Sequence, residues 1–215
     1  MKRKKQNYHI LAICYLAAFC LWTILVRFVD VQAIGPQGSA VGFAGLNGFV
    51  HRLTGVHMAL YRLTDRLSLI PLLTAAGFGI LGLSQWIRRK ALRRVDFSIL
   101  VLGGFYVIMA VLFLFFETCI INYRPVLIGG ILEASYPSST TLLMMCVMPT
   151  AGMQLRSRIH HPPLRRCVCI LISGFTVFMV TARLLSGVHW VTDIIGGMLL
   201  SAGLVTLYRF ICNFK

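Results

Sequence analysis

The stretch "RLLSGVHWVTD", residues 183–193, separates two long apolar runs of the chain. The preceding run covers about residues 167–184, and the following run covers about residues 190–211. Because a helix needs roughly 20 mostly apolar residues to cross a bilayer, this pattern indicates two membrane helices joined by a polar turn. The turn carries an arginine, a histidine and an aspartate, although the chain contains only six acidic residues and six histidines.

The composition of the whole chain extends this interpretation. Of 215 residues, 58% are hydrophobic and 13% are charged, which is typical of a membrane protein and excludes an ordinary soluble domain. The first apolar run is long and lacks a small-residue cleavage site, so it predicts a retained helix. We predict an all-α polytopic membrane protein, one domain over residues 1–215, with six transmembrane helices in a bundle. The six apolar stretches are at about 8–26, 67–87, 97–116, 138–155, 167–184 and 190–211.

The net charge of +15 is distributed unevenly. If the N-terminus is cytoplasmic, 15 of the 21 Lys and Arg residues fall on that side, in 2–5, 88–94, 156–166 and the tail with Arg209 and Lys215. This bias predicts cytoplasmic termini in a cell membrane. We interpret the basic runs as topology signals near anionic lipid, not as a nucleic-acid site. Five of the six acids fall on the other side, so a site is expected at the extracytoplasmic end.

The first outer loop, residues 27–66, contains apolar residues at helical spacing. These residues are Phe49, Leu53, Val56, Leu60 and Leu63. They predict a short amphipathic helix on the outer membrane surface. Such a helix either covers a site or pads the interface, and padding is the favoured interpretation.

His189 and Asp193 are four residues apart and therefore share one face of a helix. The Asp193 carboxylate can accept the Nδ1 proton of His189, which leaves Nε2 free as a nucleophile or base. Arg183 can face the same pocket. From this stretch alone, an interfacial histidine and a helix-capping aspartate explain the pattern equally well.

The second outer loop favours the functional interpretation. In "NYRPVLIGGILEASYPSSTT", residues 122–141, Arg124 supplies a planar fork of donors that suits phosphate oxygens. Ser138 and Ser139 lie where the fourth membrane helix begins, and a helix N-terminus favours an anion. Capping of this helix by a serine is compatible with anion binding.

Together these motifs resemble the type 2 phosphatidic acid phosphatase family, which shares its core with vanadium haloperoxidases. The family signatures are KxxxxxxRP, PSGH and SRxxxxxHxxxD, and the resemblance, to the bacterial membrane lipid phosphatase branch, covers about residues 117–197. The matching residues are Arg124 and Pro125, then Pro137 and Ser138, then Arg183, His189 and Asp193.

The resemblance implies a phosphatase mechanism without metal or other cofactor. His189 would attack phosphorus to form a phosphohistidine, which water hydrolyses, and Asp193 would orient His189. Arg124, Arg183 and Ser138, with Ser139 beside them, would hold the phosphoryl oxygens. The implied partner is a lipid phosphate within the membrane lipids; the oligomeric state is left open.

The chain departs from the signatures at several positions. Glu117 replaces the lysine of the first, and Ala182 replaces the serine of the third. Ser139 and Thr140 replace the glycine and histidine of PSGH. In the family that histidine protonates the leaving oxygen, a contribution of about 10²–10⁴-fold that a threonine hydroxyl cannot make at neutral pH.

The missing acid bears on the substrate. A phosphate monoester expels a strongly basic alkoxide, whereas a lipid diphosphate expels a phosphate group with a second pKa of about 6. We therefore predict hydrolysis of a lipid phosphate, with a polyprenyl diphosphate preferred. Glu117, Glu133, His51 or His57 could replace the acid, although we expect Glu117 to pair with Arg124. The alternatives are a pseudophosphatase that binds lipid phosphate without turnover, and an unrelated role such as transport.

Overall fold

The computed structural model describes residues 2–213, with side chains from residue 7 onward. Within this range the chain forms eight α-helices, no strand and three isolated bridges, which confirms the all-α prediction. The Lys2–Lys5 side chains and Lys215, part of the predicted basic bias, lie outside the described residues. The helices are α1 (Lys2–Phe28), α2 (Ala44–Thr54), α3 (Met58–Leu67), α4 (Leu69–Arg89), α5 (Phe97–Thr118), α6 (Ser139–Arg158), α7 (Pro162–Leu185) and α8 (Val191–Cys212).

Five segments of the described chain are long and apolar enough to cross a membrane. They are Asn7–Phe28, Met58–Arg89, Phe97–Thr118, Pro162–Leu185 and Val191–Cys212. The chain is thus a multi-pass membrane protein. The sixth predicted span forms α6 but is not among the five, so a sixth crossing stays a prediction. Its lower hydropathy has a physical reason, because α6 packs against α4, α5, α7 and α8 and buries half of its residues against protein.

The helices alternate in direction, which separates two kinds of connection. The turns at 90–96 and 159–161 lie within the basic runs 88–94 and 156–166, and we call this end of the bundle the basic end. The connections at 119–138 and 186–190 carry the predicted site residues, and we call this end the histidine end. The basic runs and the candidate site therefore lie at opposite ends. That the basic end is cytoplasmic stays a prediction from the charge distribution.

The first outer loop contains two helices instead of the single amphipathic helix predicted. α2 and α3 are separated at Gly55, which has a φ of 66°, a conformation that favours glycine. Phe49 and Leu53 are 54% and 71% exposed, so this apolar side faces away from the bundle. The prediction was wrong because regular apolar spacing can continue across a break between two helices and therefore does not indicate the break.

The break at Gly55 packs against the turn between α7 and α8. Gly187 has a φ of 67°, and a Cβ placed there would lie 1.9 Å from the carbonyl oxygen of Gly55. The backbone N–H of His57 donates to the carbonyl of Ser186 at 3.0 Å. This close approach attaches α3 to the part of the chain that carries His189.

Small residues also let α8 pack tightly at the histidine end. A Cβ at Gly196 would lie 2.5 Å from the ring of Tyr136, so glycine makes room for that ring. The hydroxyl groups of Tyr136 and Thr23 are 2.7 Å apart. This packing fixes the segment just before α6 between α1 and α8.

At the basic end, Asp96 links three helices. Its carboxylate accepts hydrogen bonds from Gln85 and Arg89, each at 2.9 Å, and lies 3.4 Å from Arg158. The hydrogen bond from Gln85, followed by that from Arg89, lowers the pKa of Asp96 below its usual 3.8. The start of α5 is thereby connected to the ends of α4 and α6.

Candidate functional site

The structure brings His189 and Asp193 together, with a third residue between them. The two are buried, and Nδ1 of His189 is 3.8 Å from Oδ2 of Asp193, too far for a hydrogen bond. The hydroxyl of Ser135 donates to Asp193 at 2.5 Å and lies 2.9 Å from Nδ1 of His189. The predicted direct contact is therefore wrong: the histidine and the carboxylate communicate through Ser135.

Asp193 is held by further donors. Its Oδ2 accepts the backbone N–H of Trp190 at 2.9 Å, and its Oδ1 accepts the side-chain amide of Asn122 at 3.3 Å. The aspartate thus also caps α8, as the alternative interpretation of the sequence predicted. Because Asn122 and Ser135 both belong to the connection between α5 and α6, the carboxylate fixes that connection to α8.

The other nitrogen of His189 is available for chemistry. Nε2 is buried and makes no hydrogen bond within residues 7–213. Burial lowers the pKa of His189 well below its usual 6.5, and the positive charges of Arg124 and Arg183 lower it further. The imidazole is therefore neutral at pH 7, and the lone pair of Nε2 is free to act as a nucleophile.

Arg183 is held by α3. It is 2% exposed, its Nη1 donates to Thr64 at 3.2 Å, and its guanidinium lies 4.7 Å from the centre of the Tyr61 ring. Its Nε makes no hydrogen bond within the described residues. The helix predicted as padding thus contributes directly to the placement of a site cation.

Arg124 pairs with a different acid from the one predicted. Its Nε lies 3.1 Å from the carboxylate of Glu133, and its backbone N–H donates to the carbonyl of Glu133 at 3.0 Å. The expected pair with Glu117 is wrong, because the chain turns back after Arg124 and brings Glu133 opposite it. Nη1 of Arg124 is buried without a hydrogen bond among the described residues.

The three polar residues at the start of α6, Ser138, Ser139 and Thr140, have different roles. Ser138 is fully buried, and its hydroxyl accepts the backbone N–H of Thr141 at 3.4 Å, so it caps the helix. Ser139 and Thr140 line a cavity together with Arg124 and Arg183. The first turn of a helix also presents N–H groups without intrahelical acceptors, which favours an anion at this position.

This cavity has a volume of about 350 Å³ and is amphiphilic. Its polar part includes the two arginines, Thr140 and Asp65, a residue that the sequence analysis did not select. Two signals could have indicated Asp65: it is one of only six acids, and it lies in the amphipathic segment. The apolar part is formed by α4, α5 and α6, with Leu72, Met109, Phe113, Leu142 and Leu143.

A second, small cavity of about 10 Å³ adjoins His189. It is lined by Glu117, Ser135 and Ser139, and Ser139 also lines the larger cavity. Ser139 therefore lies between His189 and the amphiphilic cavity. Both cavities meet at the beginning of α6.

The proposed substitutes for the missing acid separate into two groups. Glu117 is exposed and lines the small cavity beside His189. Glu133 is paired with Arg124, and Nε2 of His51 and of His57 bonds a backbone carbonyl oxygen. Glu117 and Asp65 are thus the carboxylates that line the cavities.

A known protein family matches the part of the chain that carries this site. Residues 114–214 match the PAP2 superfamily, and this segment contains every residue predicted for the site. Recognition of the type 2 phosphatidic acid phosphatase superfamily from its three signatures is therefore confirmed. No curated protein matches the chain.

A solved structure shares the fold over nearly the whole chain. It is the crystal structure of the first transmembrane PAP2 type phosphatidylglycerolphosphate phosphatase from Bacillus subtilis, with a TM-score of 0.60 and 20% identity. The match covers 95% of this chain and 98% of that chain. The membrane form of the PAP2 fold therefore extends over the N-terminal helices as well.

Proposed function

We propose that this protein is a membrane lipid phosphatase that acts through a phosphohistidine on His189. The observation that carries the proposal is a group of buried polar atoms without hydrogen bonds within the described residues: Nε2 of His189, Nη1 of Arg124 and Nε of Arg183. Buried polar groups are normally paired, so atoms of this kind in one site favour a ligand. Two cationic donors and one neutral nucleophile suit a phosphoryl group.

The reaction proceeds in two displacements. Nε2 of His189 attacks phosphorus, the bond to the leaving oxygen breaks, and that oxygen departs with the electron pair. Arg124 and Arg183 stabilise the charge on the remaining phosphoryl oxygens. The imidazole becomes positively charged, and Asp193 stabilises it through the hydroxyl of Ser135. Water then attacks the phosphohistidine, which releases phosphate and restores the neutral histidine.

The substrate we propose is a lipid diphosphate, with a polyprenyl diphosphate as the concrete case. The amphiphilic cavity supports a lipid, because polar and apolar walls adjoin in one space. Thr140 lines this cavity at the position of the family's histidine, and a threonine does not protonate a leaving alkoxide. A departing phosphate group needs that proton least.

The second candidate is a protein that binds lipid phosphate without turnover. It is favoured by Thr140 and by Glu117, which places a carboxylate beside His189 where the family has a lysine. In such a protein Arg124 and Arg183 would bind the phosphate group of the lipid, and His189 would not attack it.

The experiment is phosphate release in detergent from a matched panel: undecaprenyl diphosphate, undecaprenyl phosphate and phosphatidate, with His189→Ala as the control. We expect the diphosphate to be hydrolysed fastest and His189→Ala to release nothing above background. Faster release from phosphatidate would overturn the substrate proposal. Release equal to that of His189→Ala for every lipid, combined with retained binding, would establish the second candidate.

A further inference from the structure

A larger cavity lies at the basic end, far from His189. It has a volume of about 560 Å³ and lies between α6, α7 and α8. We call it the arginine groove and define it by its basic and apolar walls. These walls include Arg156, Arg165 and Arg209 on the basic side and Pro149, Met153 and Ile172 on the apolar side.

Two arginines of the groove have no acid beside them. Within the described residues, neither Arg156 nor Arg165 forms an ion pair. Asp96, an acid at this end, is already bonded by Arg89 and lies close to Arg158. An anion bound to Arg156 and Arg165 would therefore not compete with Asp96.

Arg209 has a fixed position beside the groove. Its guanidinium lies 4.6 Å from the centre of the Tyr8 ring, a distance suited to a cation–π contact. The contact joins α8 to α1. It gives the basic side of the groove one oriented cation in addition to the two arginines of α6 and α7.

The polarity of the groove changes along the helix axis. From Pro149 to Ser157 the lining of α6 extends over eight helical steps, or about 12 Å at the rise of an α-helix. Met153 lies between the centre of α6 and Arg156, so the apolar wall points towards the middle of the bundle. An amphiphile with a phosphate at the membrane surface and a chain directed inward matches this order.

We propose that the arginine groove binds an anionic phospholipid, with its phosphate on Arg156 and Arg165 and an acyl chain along Met153 and Ile172. Charge complementarity selects the anionic head group, and the apolar wall distinguishes a lipid from a soluble phosphate. The site is separate from the proposed catalytic centre and does not depend on turnover.

The bound lipid would connect α6 and α7 and would lie beside α8, and these helices also carry proposed site residues. α6 begins at Ser139, α7 carries Arg183 near its end, and α8 carries Asp193 in its first turn. A lipid held at the opposite ends of these helices stabilises their packing, because it binds the folded bundle and not the separated helices. We therefore expect anionic lipid to raise the Tm.

The test measures lipid retention by the full chain in a neutral detergent, using native mass spectrometry with phosphatidylglycerol and phosphatidylcholine of identical acyl chains. We expect retention of phosphatidylglycerol and not of phosphatidylcholine. Arg156→Gln with Arg165→Gln should weaken binding about 30-fold, since each arginine near an anionic lipid contributes about fivefold. The matched control is Arg93→Gln with Arg94→Gln, which removes the same charge from exposed positions at the same end and should retain wild-type affinity.

A second variant tests the apolar wall without changing charge. A Cβ at Gly152 would have no neighbour closer than 3.8 Å, so the position has room for a side chain to begin, and Gly152→Leu adds apolar atoms at the lining of the groove. It should weaken phosphatidylglycerol binding at least as much as one arginine substitution does. Unchanged retention in either groove variant, or an equal loss in the Arg93 and Arg94 control, would overturn the proposal. A Tm increase from inorganic phosphate that equals the increase from phosphatidylglycerol, and that is lost in Arg156→Gln with Arg165→Gln, would assign the groove to a soluble anion instead.

Discussion

The two ends of the bundle use arginines in different ways. At the histidine end, Arg124 and Arg183 are 8% and 2% exposed and are held by neighbouring side chains. At the basic end, Arg156 is exposed and Arg165 is partly exposed, and they lie along an apolar wall. Buried, oriented cations stabilise charge that develops at a defined position, because no reorganisation is needed during the reaction. Exposed cations attract an anionic surface and contribute about 1 kcal/mol each.

The contrast between the two ends of the bundle depends most strongly on His189, because a chain that stays active without this residue would have no catalytic site at the histidine end. His189→Ala removes the proposed nucleophile, and kcat for the lipid diphosphate should fall by about 10⁴-fold or more. The measurement is phosphate release, together with trapping of an acid-labile phosphoprotein from labelled substrate. The control is His57→Ala, an exposed histidine at the same end whose ring bonds the carbonyl of Thr54. Phosphoprotein formation by His189→Ala would assign the nucleophile to another residue.

The buried arginines provide the next largest effect. Arg183→Gln removes a fixed donor to the phosphoryl group, and kcat should fall by about 10²–10³-fold. Arg62→Gln is the matched control, since it removes the same charge from an exposed position on α3. If both variants lost activity equally, long-range charge and not the oriented guanidinium would explain the effect. The measurement is kcat in detergent with the lipid diphosphate.

Substitution of Thr140 tests whether the lack of a general acid at this position sets the preference for a lipid diphosphate. Thr140→His restores a general acid beside the cavity and should raise hydrolysis of phosphatidate relative to the diphosphate by about 10²-fold. Thr140→Asn is the control, because it introduces a polar side chain that does not titrate. The ratio of kcat/KM for the two lipids is the measurement. An unchanged ratio in Thr140→His would mean that another group already protonates the leaving oxygen.

Ser135 distinguishes a bridged histidine from a directly paired one. Ser135→Ala leaves the 3.8 Å gap between His189 and Asp193 without a hydroxyl, and kcat should fall by about 10-fold. KM should stay unchanged, since Ser135 contacts the histidine and the aspartate. Ser135→Thr keeps the hydroxyl and should recover activity. A rise in KM with kcat unchanged would place Ser135 in substrate binding instead.

The smallest effect is expected at the basic end, at Asp96. Its side chain is 39% exposed, so Asp96→Asn should lower the free energy of unfolding by about 1 kcal/mol or less. Because the pKa of Asp96 is lowered, the stabilisation is present above pH 3.8 and is lost as the pH falls below that value. The measurement is the difference in Tm between wild type and variant at several pH values. A difference that grows on acidification would contradict the assignment.

The sequence predicted those features that depend on local spacing. The four-residue interval predicted that His189 and Asp193 share one face at the start of the last helix. Asp193 does lie in the first turn of α8, whereas His189 precedes the helix, in the connection 186–190. The apolar runs correctly located the long helices. The interval did not reveal Ser135, which approaches from a connection 54 positions earlier in the chain. That approach depends on how the segment before α6 packs, and no periodicity records it.

Two further misses have similar causes. The pairing of Arg124 was assigned to Glu117, whereas the reversal of the chain brings Glu133 opposite it. Gly55 divides a regular apolar pattern into two helices, because its φ depends on the neighbouring turn. The interpretation of the basic runs as topology signals near anionic lipid stays a prediction.

The contact between Gly55 and Gly187 means that a substitution outside the candidate site can change the position of a residue within it. With only 1.9 Å available to a Cβ at position 187, even a methyl group must displace the start of α3. That helix supplies Thr64 and Tyr61 to the guanidinium of Arg183. Gly187→Ala would thus displace Arg183, a residue proposed to bind phosphate, without contacting substrate, and its effect would resemble the loss of a site residue.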